Sequence, residues 1–199
     1  MRKRIIRLSV LGLALSLAGV AMAIEPSIKP TDIPKLTQEE QHATASKRIT
    51  ALFTRSHYKQ IRLDDAFSEK IFNLYLEALD YSRNLFLQSD IDGFQSYKKQ
   101  LDNALSDGDL AVVYAMYNLS TQRRYERLVY ALSLLDKPFD FTSQDSYQFE
   151  RKGAKWPTST AERDELWRQR VKYDALSLKL AGKEWPEIKE LLVKRYQNA

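Results

Sequence analysis

Residues 110–135, LAVVYAMYNLSTQRRYERLVYALSLL, form the longest unbroken helical pattern in the chain. Leu110, Val113, Tyr114, Tyr117, Thr121, Tyr125, Leu128, Leu132 and Leu135 recur at steps of three or four and make one stripe over about seven turns. That spacing predicts an amphipathic helix with one face against a core. Asp109 stands where it can cap the start, and Pro138 prevents continuation. Of the four tyrosines Tyr114, Tyr117, Tyr125 and Tyr130, the first three lie on the stripe and are assigned to the core.

The same period extends in both directions. Thr37-Gln38-Glu39-Glu40 reads as a capping box, followed by Ala45, Ile49, Leu52, Phe53 and Ser56 at helical spacing. A second helix is predicted from Asp64, with Phe67, Ile71, Leu74, Tyr75, Ala78 and Leu79 on one face. A third is predicted from Ser89, carrying Ile91, Phe94, Leu101 and Leu105, and Gly108 marks its break. Beyond the long helix, Ser159 and Glu162 open a fifth that buries Leu166, Trp167, Val171 and Leu178 and stops at Gly182. Trp185-Pro186 opens a sixth, with Ile188, Leu191, Leu192 and Tyr196 on one face. No strand-like alternation is sustained and only 6 of 199 residues are glycine, which disfavours hairpins and phosphate-cradling loops. The expected fold is all-α: about six amphipathic helices in an irregular bundle.

One connection is out of scale. Residues 136–158 exceed the usual two to eight for a helix–helix link. They contain Phe139, Phe141, Tyr147, Phe149 and Trp156. So many rings either cover the bundle or form an interface with a neighbouring domain or partner. Phe139/Phe141 and Tyr147/Phe149 alternate with polar residues, as a strand added to another sheet edge would.

The first 23 residues read as a secretory signal. Arg2, Lys3, Arg4 and Arg7 precede an apolar run, Leu8–Val20, too short for a comfortable membrane span. Ala21-Met22-Ala23 is an A-x-A site, so cleavage is expected between Ala23 and Ile24. An uncleaved N-terminal anchor is the alternative, and a lipid anchor is excluded because there is no cysteine. Residues 24–36, with Pro26, Pro30 and Pro34, read as an extended leader, and residues 37–199 as the helical domain. Export also changes the charge balance. The chain has 31 basic and 26 acidic residues; four of the 31 lie in the signal, leaving 27 against 26. A nearly neutral chain has no broad footprint for nucleic acid. Without cysteine there is no disulfide frame and no thiol catalysis.

Three stretches carry a resemblance: QHATASKRIT (41–50), FTRSHYKQ (53–60) and above all LDYSRNLFLQSDI (79–91). Together they resemble the N-terminal helical domain of the tail-specific, or carboxy-terminal processing, proteases of the bacterial periplasm. The resemblance runs from about residue 33 to the last residue. It implies an intact protein that is a serine protease of the S41 type, with PDZ and protease domains and a Ser–Lys dyad beyond residue 199. It also implies processing of periplasmic proteins from their C-terminal tails, a scaffold role for this domain, and a surface offered to an adaptor protein. The last helix has no stop signal at Lys194–Ala199, which is read as a chain cut short of its parent or as a naturally short chain that frays.

Nothing in the chain itself supplies an active site. Ser46-Lys47 is a side-by-side pair on an amphipathic helix, without the glycine-rich oxyanion loop that acyl transfer needs. His42 and His57 lie about four turns apart if helical, too far to share a metal, and are read as structural. Glu39-Glu40, Asp64-Asp65 and Asp107/Asp109 sit at expected helix starts, where carboxylates cap free N–H groups. Arg123, Arg124, Arg127 and Lys137 are read as solvated or paired. No catalytic, metal or cofactor residue is assigned. The expected alternatives are a protease scaffold, a free-standing interaction module and, as the weakest, an independent cell-wall enzyme.

Overall fold

The computed structural model describes residues 24–56, 58 and 61–198. Residues 1–23, 57, 59–60 and 199 lie outside the described residues, and with them the expected signal, its cleavage residue Ala23, and His57. Among the described residues all regular structure is helical: α1 (Glu40–Ser56), α2 (Asp65–Leu79), α3 (Gln88–Phe94), α4 (Leu101–Asp107), α5 (Ala111–Ser133), α6 (Thr160–Leu180) and α7 (Trp185–Gln197). Short 3-10 turns occupy Pro30–Asp32, Gln95–Tyr97 and Leu134–Asp136.

Helix boundaries follow local chemistry where the sequence supplies it. Asp64 accepts the Phe67 N–H at 2.9 Å and caps α2. Ser159 accepts the Glu162 N–H at 3.2 Å and caps α6, while the Glu162 carboxylate accepts from the Thr158 N–H. Gly182, at φ 83°, ends α6 in a Schellman turn: the Lys183 N–H donates to Leu178 and the Gly182 N–H to Lys179. Gly108, at φ 70°, ends α4 against α1; a Cβ there would stand 2.8 Å from the Ala43 carbonyl oxygen.

Three expectations are corrected. Thr37 does not cap the first helix, which starts at Glu40; the Glu39 N–H donates instead to His42 Nδ1 at 3.1 Å. The single third helix is two, α3 and α4. Buried Ser68 causes the break by donating to the Lys98 carbonyl at 2.9 Å and accepting the Leu101 N–H at 2.8 Å. The faces of α2 and of the first half of α5 are turned by about one residue. Phe72, Leu76, Met116 and Ser120 are buried, whereas Leu74 and Tyr117 are exposed. These stretches are apolar on more than one side, so periodicity alone does not select the face.

Two cores lie at opposite ends of α5. The first gathers Phe72, Leu76 and Leu79 of α2 with Phe86, Ile91, Phe94, Leu101 and Met116. The second gathers Ala131, Leu132 and Leu135 with Trp167, Val171 and Ala175 of α6 and Ile188 and Leu192 of α7. Full burial of each Val, Leu, Ile, Phe or Met side chain among them stabilises by about 1.5–3 kcal/mol. An ionic strip joins the two ends. Arg123 of α5 holds Asp90 of α3 through two bonds of 2.9 and 2.8 Å, and Glu126 beside it accepts from Arg163 of α6 at 3.0 Å.

Candidate functional site

The stretch 79–91 has a structural meaning that begins with one carboxylate. Asp80 closes α2 by donating its N–H to Leu76, and its side chain then turns inward, 5% exposed. The chain curls around it. The Asn84, Leu85 and Phe86 N–H groups and the Trp156 indole N–H all donate to its two oxygens at 3.0–3.1 Å. Arg83 permits the curl by taking φ 48°, rare for a residue with a side chain.

The long loop locks this nest from outside. The Arg83 guanidinium stacks over Trp156 at 4.1 Å and donates to the Ala154 carbonyl at 2.6 Å. Buried Arg151 donates to the carbonyls of Ser82 and Arg83 at 3.2 and 3.4 Å. Pro157 accepts the Gln88 N–H at 2.7 Å, and Trp167 of α6 donates to Asn84 at 2.9 Å. The two carboxylate oxygens are thus spent on four N–H groups of the chain itself. Asp80 therefore organises the fold around it. Sequence reasoning quoted its segment without assigning it this role; the signal was an acidic residue inside an apolar stretch that is not a helix.

The residues weighed for chemistry fall apart in space. Ser46 points into the α1–α4 contact, donating to the Leu105 carbonyl at 2.8 Å. His42 Nδ1 lies 2.7 Å from the Tyr114 hydroxyl and holds the start of α1. Asp65 pairs with Lys99 at 3.4 Å, and Asp109 accepts the Ala111 N–H at 3.2 Å. Among the described residues no three His, Asp or Glu converge as a metal site requires.

One serine–lysine contact does form, at residues that drew no attention in the sequence. Lys172 Nζ of α6 lies 2.6 Å from Ser143 Oγ, but it lies equally close to Asp145. Hydrogen bonds from Arg168 and then Lys172 hold the Asp145 carboxyl well below its usual range. A Ser–Lys dyad needs a lysine directed at its serine, whereas this one is shared with a carboxylate at the same distance. The contact pins the long loop to α6.

The five loop aromatics divide. Phe139 and Phe141 pack on the second core, Phe139 edge-on to Trp185 at 6.0 Å, and Trp156 packs on the first. Tyr147 and Phe149 form a surface cluster with Tyr173 of α6, and there Phe149 remains 54% exposed. Ile24 also lies on the second core.

The comparisons extend over this frame. The family model described as Tail specific protease N-terminal domain matches residues 49–199, a span that contains the Asp80 nest and both cores. The curated tail-specific protease of Haemophilus influenzae is 47% identical over 202 residues, covering 100% of this chain and 29% of that protein. The chain thus spans less than a third of the length of that relative. The chain belongs to the tail-specific protease N-terminal domain family.

Proposed function

We propose that the chain is the scaffold portion of a periplasmic serine protease of the S41 type, one that processes or degrades proteins from their C-terminal tails. The observation that carries this reading is the match over residues 49–199 in a chain that spans 29% of its relative's length. On this reading the Ser–Lys dyad and the PDZ domain lie in sequence outside residues 1–199. The helical domain holds them in place and flanks the substrate path. The paired state of Lys172 supports the assignment of peptide cleavage elsewhere. The basic start, the apolar run and the cleavage site between Ala23 and Ile24 support export. No helix among the described residues is long and apolar enough to cross a membrane.

The test is an immunoblot of a periplasmic extract with an antibody to residues 60–135, paired with a peptidase assay of the purified chain. The expected result is a species several times heavier than this chain, and no cleavage of an apolar-tailed peptide by the chain alone. A single species at the chain's own size, with cleavage abolished by one substitution within residues 24–198, overturns the reading.

A second reading, a free-standing module that binds an adaptor protein, is favoured by exposed apolar side chains: Ile49 and Leu52 on α1, and Phe149 in the loop. Phe139, Phe141, Tyr147 and Trp156 complete the proposed loop surface, with most of their area turned inward. Saturable binding that is lost in Phe149→Ala while the fold is retained supports this reading.

A further inference from the structure

A cavity of about 340 Å³ opens between the α2–α3 connection and the α5–α7 layer. Three guanidinium groups line it, Arg127, Arg170 and Arg195, against one carboxylate, Asp174. That carboxylate is already engaged. Tyr196 donates to it at 2.7 Å and Arg170 at 3.2 Å, and Arg195 stands 3.7 Å away. Arg170 has a further partner in the Tyr147 hydroxyl at 3.3 Å.

Arg127 has no such partner. Its guanidinium carbon lies over the Trp167 ring, 4.3 Å from the centroid. The ring's π face attracts the cation. No hydrogen bond or ion pair joins the Arg127 guanidinium to any other described residue, so its N–H fork is vacant. Burial, and next the charge of Arg124, push it down to about 10. Arg124 is itself spent on the Leu79 carbonyl at 2.9 Å, and Asp80, the nearby carboxylate, is saturated by its four N–H donors. The Trp167 indole N–H donates to the Asn84 carbonyl at 2.9 Å, which orients the ring. Leu128 and Ala131 supply an apolar wall beside the fork.

A desolvated guanidinium with a vacant planar fork matches the geometry of a carboxylate, and the wall beside it matches an apolar stem. We propose that this cavity is an anion site for a carboxylate on a short apolar stem, with Arg127 as its bidentate anchor. The inference rests on this geometry alone and stands whether or not the chain is a protease scaffold. Two sources share the chemistry: the C-terminal carboxylate of a peptide, and an acidic side chain of another protein segment.

The test is titration of the full, ¹⁵N-labelled chain, followed at the Trp167 indole N–H. Probes are N-acetyl-leucine, N-acetyl-leucinamide, N-acetyl-glutamate α-amide and inorganic phosphate, each to about 50 mM. The acids are expected to shift the Trp167 signal saturably and the leucinamide is not. Tighter binding of N-acetyl-leucine than of the glutamate amide indicates a chain terminus, and the reverse order a side chain. Arg127→Gln is expected to weaken binding by roughly tenfold or more, and Arg127→Lys by less, since lysine keeps the charge and loses the fork. Arg168→Gln, outside the cavity, leaves binding unchanged. Unfolding midpoints confirm that each variant is folded. Equal binding of acid and amide, undiminished binding in Arg127→Gln, a preference for phosphate, or no shift with any probe overturns the proposal.

Discussion

Asp80 concentrates four N–H donors on one buried carboxylate, so its removal leaves several polar groups without partners at once. Asp80→Ala leaves the buried Leu85 and Phe86 amides, and the partly buried Asn84 amide and Trp156 indole, without their acceptor. The expected loss is about 3–5 kcal/mol, read as a lower urea midpoint at unchanged slope. Asp80→Asn keeps the shape and one acceptor oxygen, and is expected to lose about half as much. A loss below about 1 kcal/mol for the alanine variant would show that the nest does not hold the loop. The nest was not legible in the sequence because its parts are far apart. Trp156 is 76 positions from Asp80, and nothing in either neighbourhood names the other. The caps at Asp64 and Ser159 were legible for the opposite reason, since donor and acceptor lie three residues apart.

Between helices, the ionic strip of α3, α5 and α6 gives stability a pH dependence. Burial raises the Glu126 carboxyl, but hydrogen bonds from Arg123 and Arg163 outweigh it and hold the group below its ordinary 4.5. A depressed carboxyl contributes stability that is present above its unfolded value and is lost as pH falls through the folded one. Glu126→Gln is therefore expected to be less stable than the parent at neutral pH. The gap should narrow as pH falls below about 4.5, in urea unfolding followed across pH. A gap independent of pH would assign the effect to packing. Two glycines that end helices make a second comparison. Both have φ near 70–80°, where a Cβ costs about 1–2 kcal/mol. Gly182 faces open space, whereas Gly108 meets the Ala43 carbonyl at 2.8 Å and the Lys47 side chain at 2.9 Å. Gly182→Ala is expected to cost about 1 kcal/mol and Gly108→Ala at least twice that, because α1 must shift. Equal thermal midpoints for the two variants would refute the close approach. These stops could be read from residue type alone. The break between α3 and α4 could not, because Ser68 imposes it from another helix.

Across the whole molecule, attachment is graded. Helix order and the all-helical class were legible because period and caps are local properties. The division into two cores was not, because it depends on which neighbour each end of α5 meets. Leu128, Leu132 and Leu135 were read correctly at the end where α6 and α7 close around the helix. At the other end Tyr117 displaced Met116 in the reading, since a tyrosine and a methionine fit an apolar stripe equally well. The same packing separates strong elements from weak ones. In α1 the only buried residue is Ser46, which donates to the Leu105 carbonyl, and just before the helix Gln38 bonds to Gly108 and Leu110. By contrast, Leu132, Val171, Ile188 and Leu192 are fully enclosed among α5, α6 and α7. Amide exchange in α1 is therefore expected to proceed by local opening at much lower free energy than in α5–α7, where it requires global unfolding. Leu132→Ala separates the two routes. It should lower protection in α5–α7 by about 2–5 kcal/mol, the cost of a cavity at a fully buried leucine, and leave α1 nearly unchanged. If α1 and α6 exchange at the same free energy in the parent, or fall together in the variant, the molecule opens as one unit and α1 is as firmly built in as the rest.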